Sequence, residues 1–168
     1  MSEPARLFIG LWPSEDVRDA VWRHAQAWSW PRTASRVRRE KLHMTLHFLG
    51  ELPRERVAGV AQGLEVPVEP FELVLDRGEV WHGGIAVLRT AATPPGLRDL
   101  HERLTHVLAR LELSPARSQL KPHVTLARRA QGAVAPACEP MGWSVDSFVL
   151  IESDLRPPGA YRIVRRFA

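Results

Sequence analysis

Hydrophobic positions recur at helical spacing in two long segments and alternate like strands in most of the others. Apolar residues repeat every three or four positions over residues 15–28 and 97–111, which predicts two amphipathic helices. Ser14 is the predicted N-cap of the first helix, because Glu15 and Asp16 follow in its first turn. Residues 6–12 form a short apolar run ended by Pro13, which is typical of a buried strand.

Shorter patterns complete the set of predicted elements. Residues 35–40 predict a short strand paired with the next strand, at residues 41–51, and Pro53 favours the start of a short helix. Residues 71–81 alternate as one strand, and residues 85–88 predict its hairpin partner across the turn at residues 82–84. Residues 143–152 and 161–167 predict two final strands.

One sequence motif occurs twice, in two of the predicted strands. Residues 41–46 read Lys-Leu-His-Met-Thr-Leu and residues 121–126 read Lys-Pro-His-Val-Thr-Leu; Lys41 and Lys121 are the only lysines of the chain. Strand alternation predicts that each copy presents its histidine and threonine on one face and buries apolar residues on the other. In the first copy the predicted faces are His43, Thr45 and His47 against Leu42, Met44, Leu46 and Phe48. In the second they are His123 and Thr125 against Val124 and Leu126.

The predicted order of elements indicates the fold class. Strands and helices alternate, but hairpins are too frequent for a doubly wound parallel sheet, and each half of the chain carries one motif strand. We therefore expect a single α+β domain over residues 1–168. Its two pseudo-symmetric lobes would be built of mainly antiparallel sheet with helices on the outside. The motif strands would line a cleft between the lobes.

Composition excludes several classes of protein and favours an anionic partner. The chain has 168 residues and a formal net charge of +4, and it contains a single cysteine, Cys138, which excludes an internal disulfide and a cysteine-based metal cluster. No apolar run is long enough to cross a bilayer and the N-terminus lacks a secretory pattern, so we expect a cytoplasmic protein without membrane association. Two groups of basic residues flank the motifs: Arg32, Arg36, Arg38, Arg39 and Lys41 before the first, and Arg117, Lys121, Arg128 and Arg129 around the second.

Two histidine–threonine pairs are suited to acid–base chemistry on a phosphodiester. Imidazole titrates near neutrality, so a neutral histidine can deprotonate a nucleophile while a protonated one donates to the leaving oxygen. A threonine hydroxyl two residues along the same face can donate to a non-bridging phosphate oxygen. This chemistry requires neither a metal nor a cofactor, and neither motif has a carboxylate-rich ligand set nearby.

Competing interpretations find less support in the sequence. A zinc site would need a third ligand, such as His47, with a carboxylate or a cysteine nearby, and the sequence offers no such group. A serine hydrolase would need a Gly-x-Ser-x-Gly elbow, and the common nucleotide-binding loops have no counterpart in this chain. A purely structural role for both histidines is the remaining alternative. Repetition of the whole motif, with the same preceding lysine and following leucine, argues against that role.

With both motifs taken together, the sequence resembles the 2H phosphoesterases, and within them the bacterial RNA 2′,3′-cyclic phosphodiesterases that were once called 2′-5′ RNA ligases. The resemblance runs in order along essentially the whole chain. It is carried by residues 6–10 (Arg-Leu-Phe-Ile-Gly), by residues 41–50 (Lys-Leu-His-Met-Thr-Leu-His-Phe-Leu-Gly) and by residues 121–128 (Lys-Pro-His-Val-Thr-Leu-Ala-Arg).

The resemblance implies hydrolysis of a terminal 2′,3′-cyclic phosphate on RNA to a 2′-phosphate, with ATP-independent 2′-5′ ligation as the reverse reaction. It implies that His43 donates the proton, that His123 accepts one, and that Thr45 and Thr125 hold phosphate oxygens. It also implies that Arg128 contacts phosphate and that Phe48 stacks on the terminal base. In ideal strands Arg128 and Phe48 lie on the face opposite their histidines, so both assignments need a bulge, a twist or a strand end.

Two alternative functions stay open at this point. One is another 2H phosphodiesterase activity, on 2′-5′ oligonucleotides or on small cyclic nucleotides. The other is a non-catalytic RNA-binding protein that keeps the cleft without the chemistry. The expected partner in each RNA-directed case is RNA, with a 2′,3′-cyclic phosphate end for the enzyme, and we expect a monomer.

Overall fold

The structure, a computed structural model, describes residues 3–113, 119–154, 156 and 159–168. Its helices are α1 (Glu15–Gln26), α2 (Val57–Gly63) and α3 (Pro95–Arg110), with short 3₁₀ helices at Arg39–Lys41 and Arg54–Arg56. The first five strands are β1 (Ala5–Leu11), β2 (Ser35–Arg36), β3 (Met44–Leu52), β4 (Phe71–Leu75) and β5 (Arg77–Trp81). The others are β6 (Ile85–Arg89), β7 (His123–Arg128), β8 (Met141–Val145), β9 (Phe148–Ser153) and β10 (Tyr161–Phe167).

Antiparallel pairing organises all of these strands into one large and one small sheet. The large sheet has the order β10-β9-β1-β3-β7-β6-β5, with β2 beside β7, and the small sheet pairs β4 with β8. β3 and β7, which carry the two motifs, are registered at the pair Met44 and Val124. The predicted α+β class with mainly antiparallel strands is confirmed, and the two motif strands join the two halves of the large sheet.

The predicted amphipathic helices form with the expected ends and faces. The side chain of Ser14 accepts a hydrogen bond from the backbone N–H of Val17 at 3.4 Å, as an N-cap does. Helix α3 begins at Pro95, in the first turn where a missing N–H is tolerated. Its buried stripe is Leu97, Leu100, Leu104, Val107 and Leu108. None of the helices in the described part of the chain is long and apolar enough to cross a membrane.

The prediction for residues 35–40 was wrong in its partner and in its length. β2 covers only Ser35 and Arg36 and pairs with β7, opposite Arg128 and Ala127, instead of with β3. β2 and β3 follow one another along the same edge of β7, so β2 does not lie beside β3. Residues 39–41 form the 3₁₀ helix that leads into the first motif.

Two predicted strands are each divided into two. The segment 71–81 breaks at Asp76, where β4 pairs with β8 and β5 pairs with β6, although the predicted hairpin of β5 and β6 is confirmed. The carboxylate of Asp76 accepts a hydrogen bond from the backbone N–H of Ala91 at 2.9 Å at this break. The segment 143–152 similarly divides into β8 and β9. Alternation alone predicts a continuous strand because it carries no information about which strand is the partner.

Candidate active site

His43 stands just before β3 and is held by two neighbours in its own motif. Its Nδ1 lies 2.7 Å from the carbonyl oxygen of Lys41, and its Nε2 lies 2.9 Å from Oγ1 of Thr45. A carbonyl can only accept, so Nδ1 carries the proton and the lone pair of the neutral ring is on Nε2. In that form the Thr45 hydroxyl donates to Nε2, the atom that is available for proton transfer.

His123, the first residue of β7, is held in the same way at Nδ1. Its Nδ1 lies 2.6 Å from the carbonyl oxygen of Lys121, which fixes the same tautomer and leaves the lone pair on Nε2. Thr125 follows two residues along the same strand and is partly exposed, as is His123. The two copies of the motif therefore build the same local arrangement.

The pairing of β3 with β7 brings the two motifs together. The antiparallel pair Met44 and Val124 places His43 across from Thr125, and Thr45 across from His123. The two histidines are then diagonal neighbours, a relation that separates residues by roughly 7–8 Å. Both imidazoles project from the same face of the sheet. Met44 and Val124 themselves are buried on the opposite face.

Register shifts turn Phe48 and Arg128 toward the histidines. In the pairing with β1, Gly10 is opposite Thr45 but Ile9 is opposite His47, so Leu46 is an extra residue. In the pairing with β6, Val87 is opposite Thr125 but Ala86 is opposite Ala127, so Leu126 is the extra residue of the second copy. Each shift falls on the leucine of the motif and reverses the alternation of the residues that follow it.

The predicted faces of His47 and Phe48 were therefore wrong. His47 is 7% exposed and lies on the buried side, whereas Phe48 is 62% exposed and approaches Phe8, which in turn contacts His43. Arg128, at the equivalent position of the second copy, is exposed, and its charge lowers the pKa of both motif histidines. The bulge that the assignments of Phe48 and Arg128 needed is present in both strands.

An aromatic wall, formed by Phe8, Trp12 and Tyr161, surrounds the ring of His43. The centroids of these rings lie 4.9, 6.3 and 5.5 Å from the His43 centroid, respectively. Gly10 lets β1 approach closely here, because a Cβ at this position would lie 2.8 Å from the carbonyl oxygen of Met44. The wall limits the movement of the His43 ring and excludes water from one side of it.

Burial keeps His43 neutral in the free protein. Loss of hydration is the main cause that lowers its pKa to about 4; the Lys41 carbonyl acts against this shift, and the positive charges of Arg18, His123 and Arg128 add to it. Arg18 is only 2% exposed, and its Cζ lies 4.6 Å from the Trp12 ring that separates it from His43. Burial and the charge of Arg128 also lower the pKa of His123.

Trp81, the last residue of β5, is the aromatic neighbour of the second histidine. The Trp81 and His123 ring centroids are 4.5 Å apart, at an interplanar angle of 59°. Each catalytic candidate thus has an aromatic contact, but the two sides differ: three rings enclose His43, whereas the structure gives His123 this one ring contact in the described residues.

The repeated lysines contribute to the site through their backbone. The carbonyl groups of Lys41 and Lys121 hold Nδ1 of the two histidines, and any residue type could supply that contact. The ammonium group of Lys41 additionally donates to the carbonyl of Gly159 and lies 4.7 Å from the Tyr161 ring centroid, so it links the first motif to the start of β10. Nothing in the structure explains the lysine side chain at position 121.

Two of the basic residues before the first motif, Arg36 and Arg39, have contacts with side chains outside the motifs. Arg39 forms ion pairs with Glu15 and Asp19, at 2.8 and 2.5 Å, and so supports α1. Arg36 lies over the rings of Trp22 and Trp30. Arg117 lies outside the described residues. Among the residues that are described, no group of three or more His, Cys, Asp or Glu side chains is placed to hold a metal ion.

His47 belongs to the core of the first half and not to the catalytic face. Its ring stacks on that of His101 in α3, with centroids 4.2 Å apart, and its Nε2 lies 3.2 Å from the His101 carbonyl oxygen. Burial lowers the pKa of His47 to about 4. Its role is to dock β3 on α3.

A separate cavity of about 550 Å³ lies beside Arg54, Glu152 and Arg162, away from the motifs. Its acidic and basic groups neutralise one another, because Glu152 pairs with Arg54 at 2.7 Å and with Arg162 at 2.6 Å. It contains neither a motif histidine nor a motif threonine. The convergence of the two motifs, rather than this cavity, identifies the candidate active site.

Several residues of the site were not expected to take part from the sequence. Phe8 in β1, Trp12 directly after β1 and Tyr161 in β10 reach His43, and Trp81 in β5 reaches His123. Alternation along β1 offered one available signal, since Phe8, Gly10 and Trp12 share the face opposite the buried Leu7, Ile9 and Leu11. No local pattern indicated Arg18, Trp81 or Tyr161.

Comparison with known proteins adds independent findings. Residues 17–157 match the family model of the 2′-5′ RNA ligase superfamily. The chain is 32% identical over 174 residues to the RNA 2′,3′-cyclic phosphodiesterase of Escherichia coli strain K12, covering 100% of this chain and 98% of that protein. It is also 32% identical over 180 residues to the protein of the same name from Thermus thermophilus, covering 97% and 89% of the two chains. The crystal structure of Escherichia coli LigT with 3′-AMP matches with a TM-score of 0.88, at 26% identity over 99% of this chain and 98% of that one.

Proposed function

Because the chain belongs to the 2′-5′ RNA ligase superfamily, we propose that it hydrolyses a terminal 2′,3′-cyclic phosphate on RNA to a 2′-phosphate. The observation that carries this proposal is the meeting, at the pair Met44 and Val124, of two imidazoles whose Nδ1 atoms are held by equivalent backbone carbonyl groups. Full-length relatives named RNA 2′,3′-cyclic phosphodiesterase support the same activity. The RNA substrate is consistent with the cytoplasmic location that we expect, and the single chain contains both motifs, as a monomeric enzyme needs.

In the proposed reaction the two histidines exchange protons with opposite sides of the phosphate. His123 removes a proton from water, the water oxygen attacks phosphorus, and the bond from phosphorus to the 3′ oxygen breaks. His43 donates its proton to that 3′ oxygen, which leaves the phosphate on the 2′ position. Their common tautomer supports these roles, since Nε2 is the proton-transfer atom of both rings.

The proton-donor role of His43 requires that the substrate raise its pKa from about 4. A phosphate monoanion about 4 Å from the imidazole contributes roughly 4 kcal/mol at an effective dielectric constant of about 20. That energy corresponds to a rise of about three pKa units, which brings the pKa of His43 close to 7. Buried His43 therefore becomes protonated only when the anion is in place, with a pKa that suits a general acid.

Charge on the phosphate oxygens is stabilised by groups on the same face. We assign Thr45 and Thr125 to the non-bridging oxygens, and Arg128 to the phosphate anion. We assign Phe48 to stacking with the terminal base, a contact that every base offers. Its 62% exposure and its proximity to Phe8 support that assignment. In reverse, a 5′-hydroxyl in place of water gives a 2′-5′ phosphodiester without ATP.

The direct test uses an oligonucleotide with a 2′,3′-cyclic phosphate end, incubated in EDTA and analysed for a 2′-phosphate product. We expect turnover by the wild-type protein and a loss of about 10²–10⁴-fold in His43→Ala and in His123→Ala, because each removes a general acid or base. His106→Ala is the matched control, since His106 is exposed on α3. Absence of the 2′-phosphate, or full activity in both histidine variants, contradicts the proposal.

A further inference from the structure

Trp81 lies against His123 but has no part in the hydrolysis just described. It ends β5, immediately before the hairpin turn, and remains partly exposed. Its ring centroid is 4.5 Å from that of His123. A large aromatic side chain with accessible surface beside a proton-transfer group is suited to stack on a nucleobase.

The sheet register places Trp81 on the catalytic face of the second half. Trp81 pairs with Ile85, and two residues earlier Glu79 pairs with Val87, which is opposite Thr125 in turn. Glu79 and Trp81 therefore project from the same face as His123 and Thr125. Val87 lies on this face as well and is fully buried.

In-line displacement at phosphorus places the leaving oxygen beside one histidine and the entering oxygen beside the other. The entering and leaving oxygens lie roughly in line on opposite sides of phosphorus, and the leaving 3′ oxygen remains attached to the nucleoside of the cyclic phosphate. Phe48 and the aromatic wall, which would hold that nucleoside, are on the His43 side. The entering oxygen therefore approaches from the His123 side, where Trp81 lies.

We propose that Trp81 is the stacking surface for a second nucleoside, the one that carries a 5′-hydroxyl group. This site rests on the proposed function and extends it to two-nucleoside substrates. In ligation, His123 removes the proton of the 5′-hydroxyl, the 5′ oxygen attacks phosphorus, and the bond to the 3′ oxygen breaks as His43 protonates it. In the reverse cleavage of a 2′-5′ linkage, His43 removes the proton of the 3′-hydroxyl, the 3′ oxygen attacks phosphorus, and the bond to the 5′ oxygen breaks as His123 protonates it, which gives a cyclic phosphate and a 5′-hydroxyl.

Charges beside Trp81 fit a substrate that continues past this nucleoside. Arg89 is opposite His123 in the register, and Arg77 is opposite Arg89 on the next strand. Glu79 forms an ion pair with Arg89, whereas Arg77 is exposed. A strand extending from the second nucleoside over β6 and β5 would bring its phosphates to these arginines.

The test compares two substrates in three proteins. Hydrolysis of a nucleoside 2′,3′-cyclic phosphate reports the first nucleoside site, and cleavage of a 2′-5′ dinucleotide reports both. In Trp81→Leu we expect the ratio of kcat/KM for the dinucleotide to that for the cyclic phosphate to fall about tenfold, because an aliphatic side chain removes base stacking. Trp81→Phe, which keeps an aromatic face, is expected to restore most of the ratio.

The possible outcomes separate this site from the proposed function. An unchanged ratio in Trp81→Leu, with both substrates losing activity equally or not at all, means that Trp81 does not hold a second nucleoside, and it overturns the inference. Wild-type hydrolysis of the cyclic phosphate without cleavage of the dinucleotide also overturns it, but leaves the proposed function intact. Absence of wild-type activity on an oligonucleotide with a 2′,3′-cyclic phosphate end contradicts the proposed function itself.

Discussion

Arg18 offers a way to change the acidity of His43 without altering either imidazole. It is buried in α1, its Nη1 donates to the carbonyl of Arg39 at 2.7 Å, and its guanidinium lies over Trp12. Nη2 is buried without a hydrogen-bond partner in the described part of the structure. Replacement by methionine keeps an unbranched apolar stem in the core while it removes the charge and this unsatisfied donor. We therefore expect Arg18→Met to fold with little loss of stability.

The expected change in pKa follows from the distances along the stack. Cζ of Arg18 is 4.6 Å from the Trp12 ring and the Trp12 and His43 centroids are 6.3 Å apart, which puts the guanidinium at most about 11 Å from the imidazole. At an effective dielectric constant of about 20, a unit charge at that distance contributes about 1.5 kcal/mol, or about one pKa unit. Removing the positive charge should therefore raise the pKa of His43 from about 4 to about 5.

NMR titration of the imidazole resonances measures this pKa directly, and His43→Gln identifies the His43 signal. The acid limb of the pH profile of kcat/KM should move upward by about one pH unit, because the doubly protonated enzyme then forms at a higher pH. Arg23→Met is the matched control, since it removes an exposed charge from the same helix. An unchanged His43 pKa in a folded Arg18→Met protein would refute electrostatic coupling through Trp12.

Two further predictions concern the packing around the first motif. Gly10→Ala should lower kcat/KM at least about tenfold, because its Cβ would lie 2.8 Å from the Met44 carbonyl oxygen and displace β1 from β3. Gly142→Ala is the control, because a Cβ at that position would have no heavy atom within 4 Å. Wild-type activity in Gly10→Ala would contradict the reasoning. The folded pKa of His47 is about 4, so the unfolded chain binds more protons between pH 6.5 and 4, and stability falls as the pH falls through that range. His47 contributes about 3 kcal/mol to this loss of unfolding free energy. Urea unfolding at both ends of the pH range should therefore show a smaller loss in His47→Leu than in the wild-type protein. Equal losses in the two proteins would show that His47 is not the group responsible.

The parts of the site that the sequence could predict are those encoded within a few residues. His43, Thr45, His123 and Thr125 are separated by two positions in each motif, so strand alternation alone places each pair on one face. The amphipathic helices and the hairpin of β5 and β6 were predictable for the same reason. The antiparallel α+β class followed from the frequency of hairpins.

The orientation of the residues after each motif could not be read from alternation. Leu46 and Leu126 look like ordinary inward-facing residues, yet each is the extra residue of a register shift, which depends on how β1 and β6 pair with the motif strands. Only the family resemblance pointed to Phe48 and Arg128, because strand alternation places both on the face opposite their histidines. Elements distant in the sequence supply the remaining neighbours, Arg18, Trp81 and Tyr161, so their contacts arise from the tertiary fold.

A crystal structure with a bound nucleoside 2′-phosphate, the expected product, tests the central claim most directly. The claim is that two imidazoles act on one phosphate across the β3–β7 pair. We expect Nε2 of His43 and Nε2 of His123 to lie within about 3.2 Å of phosphate oxygens on opposite sides of the phosphorus atom. A phosphate that contacts only one of the two rings, or that binds in the cavity beside Arg54 and Arg162 instead, would contradict it.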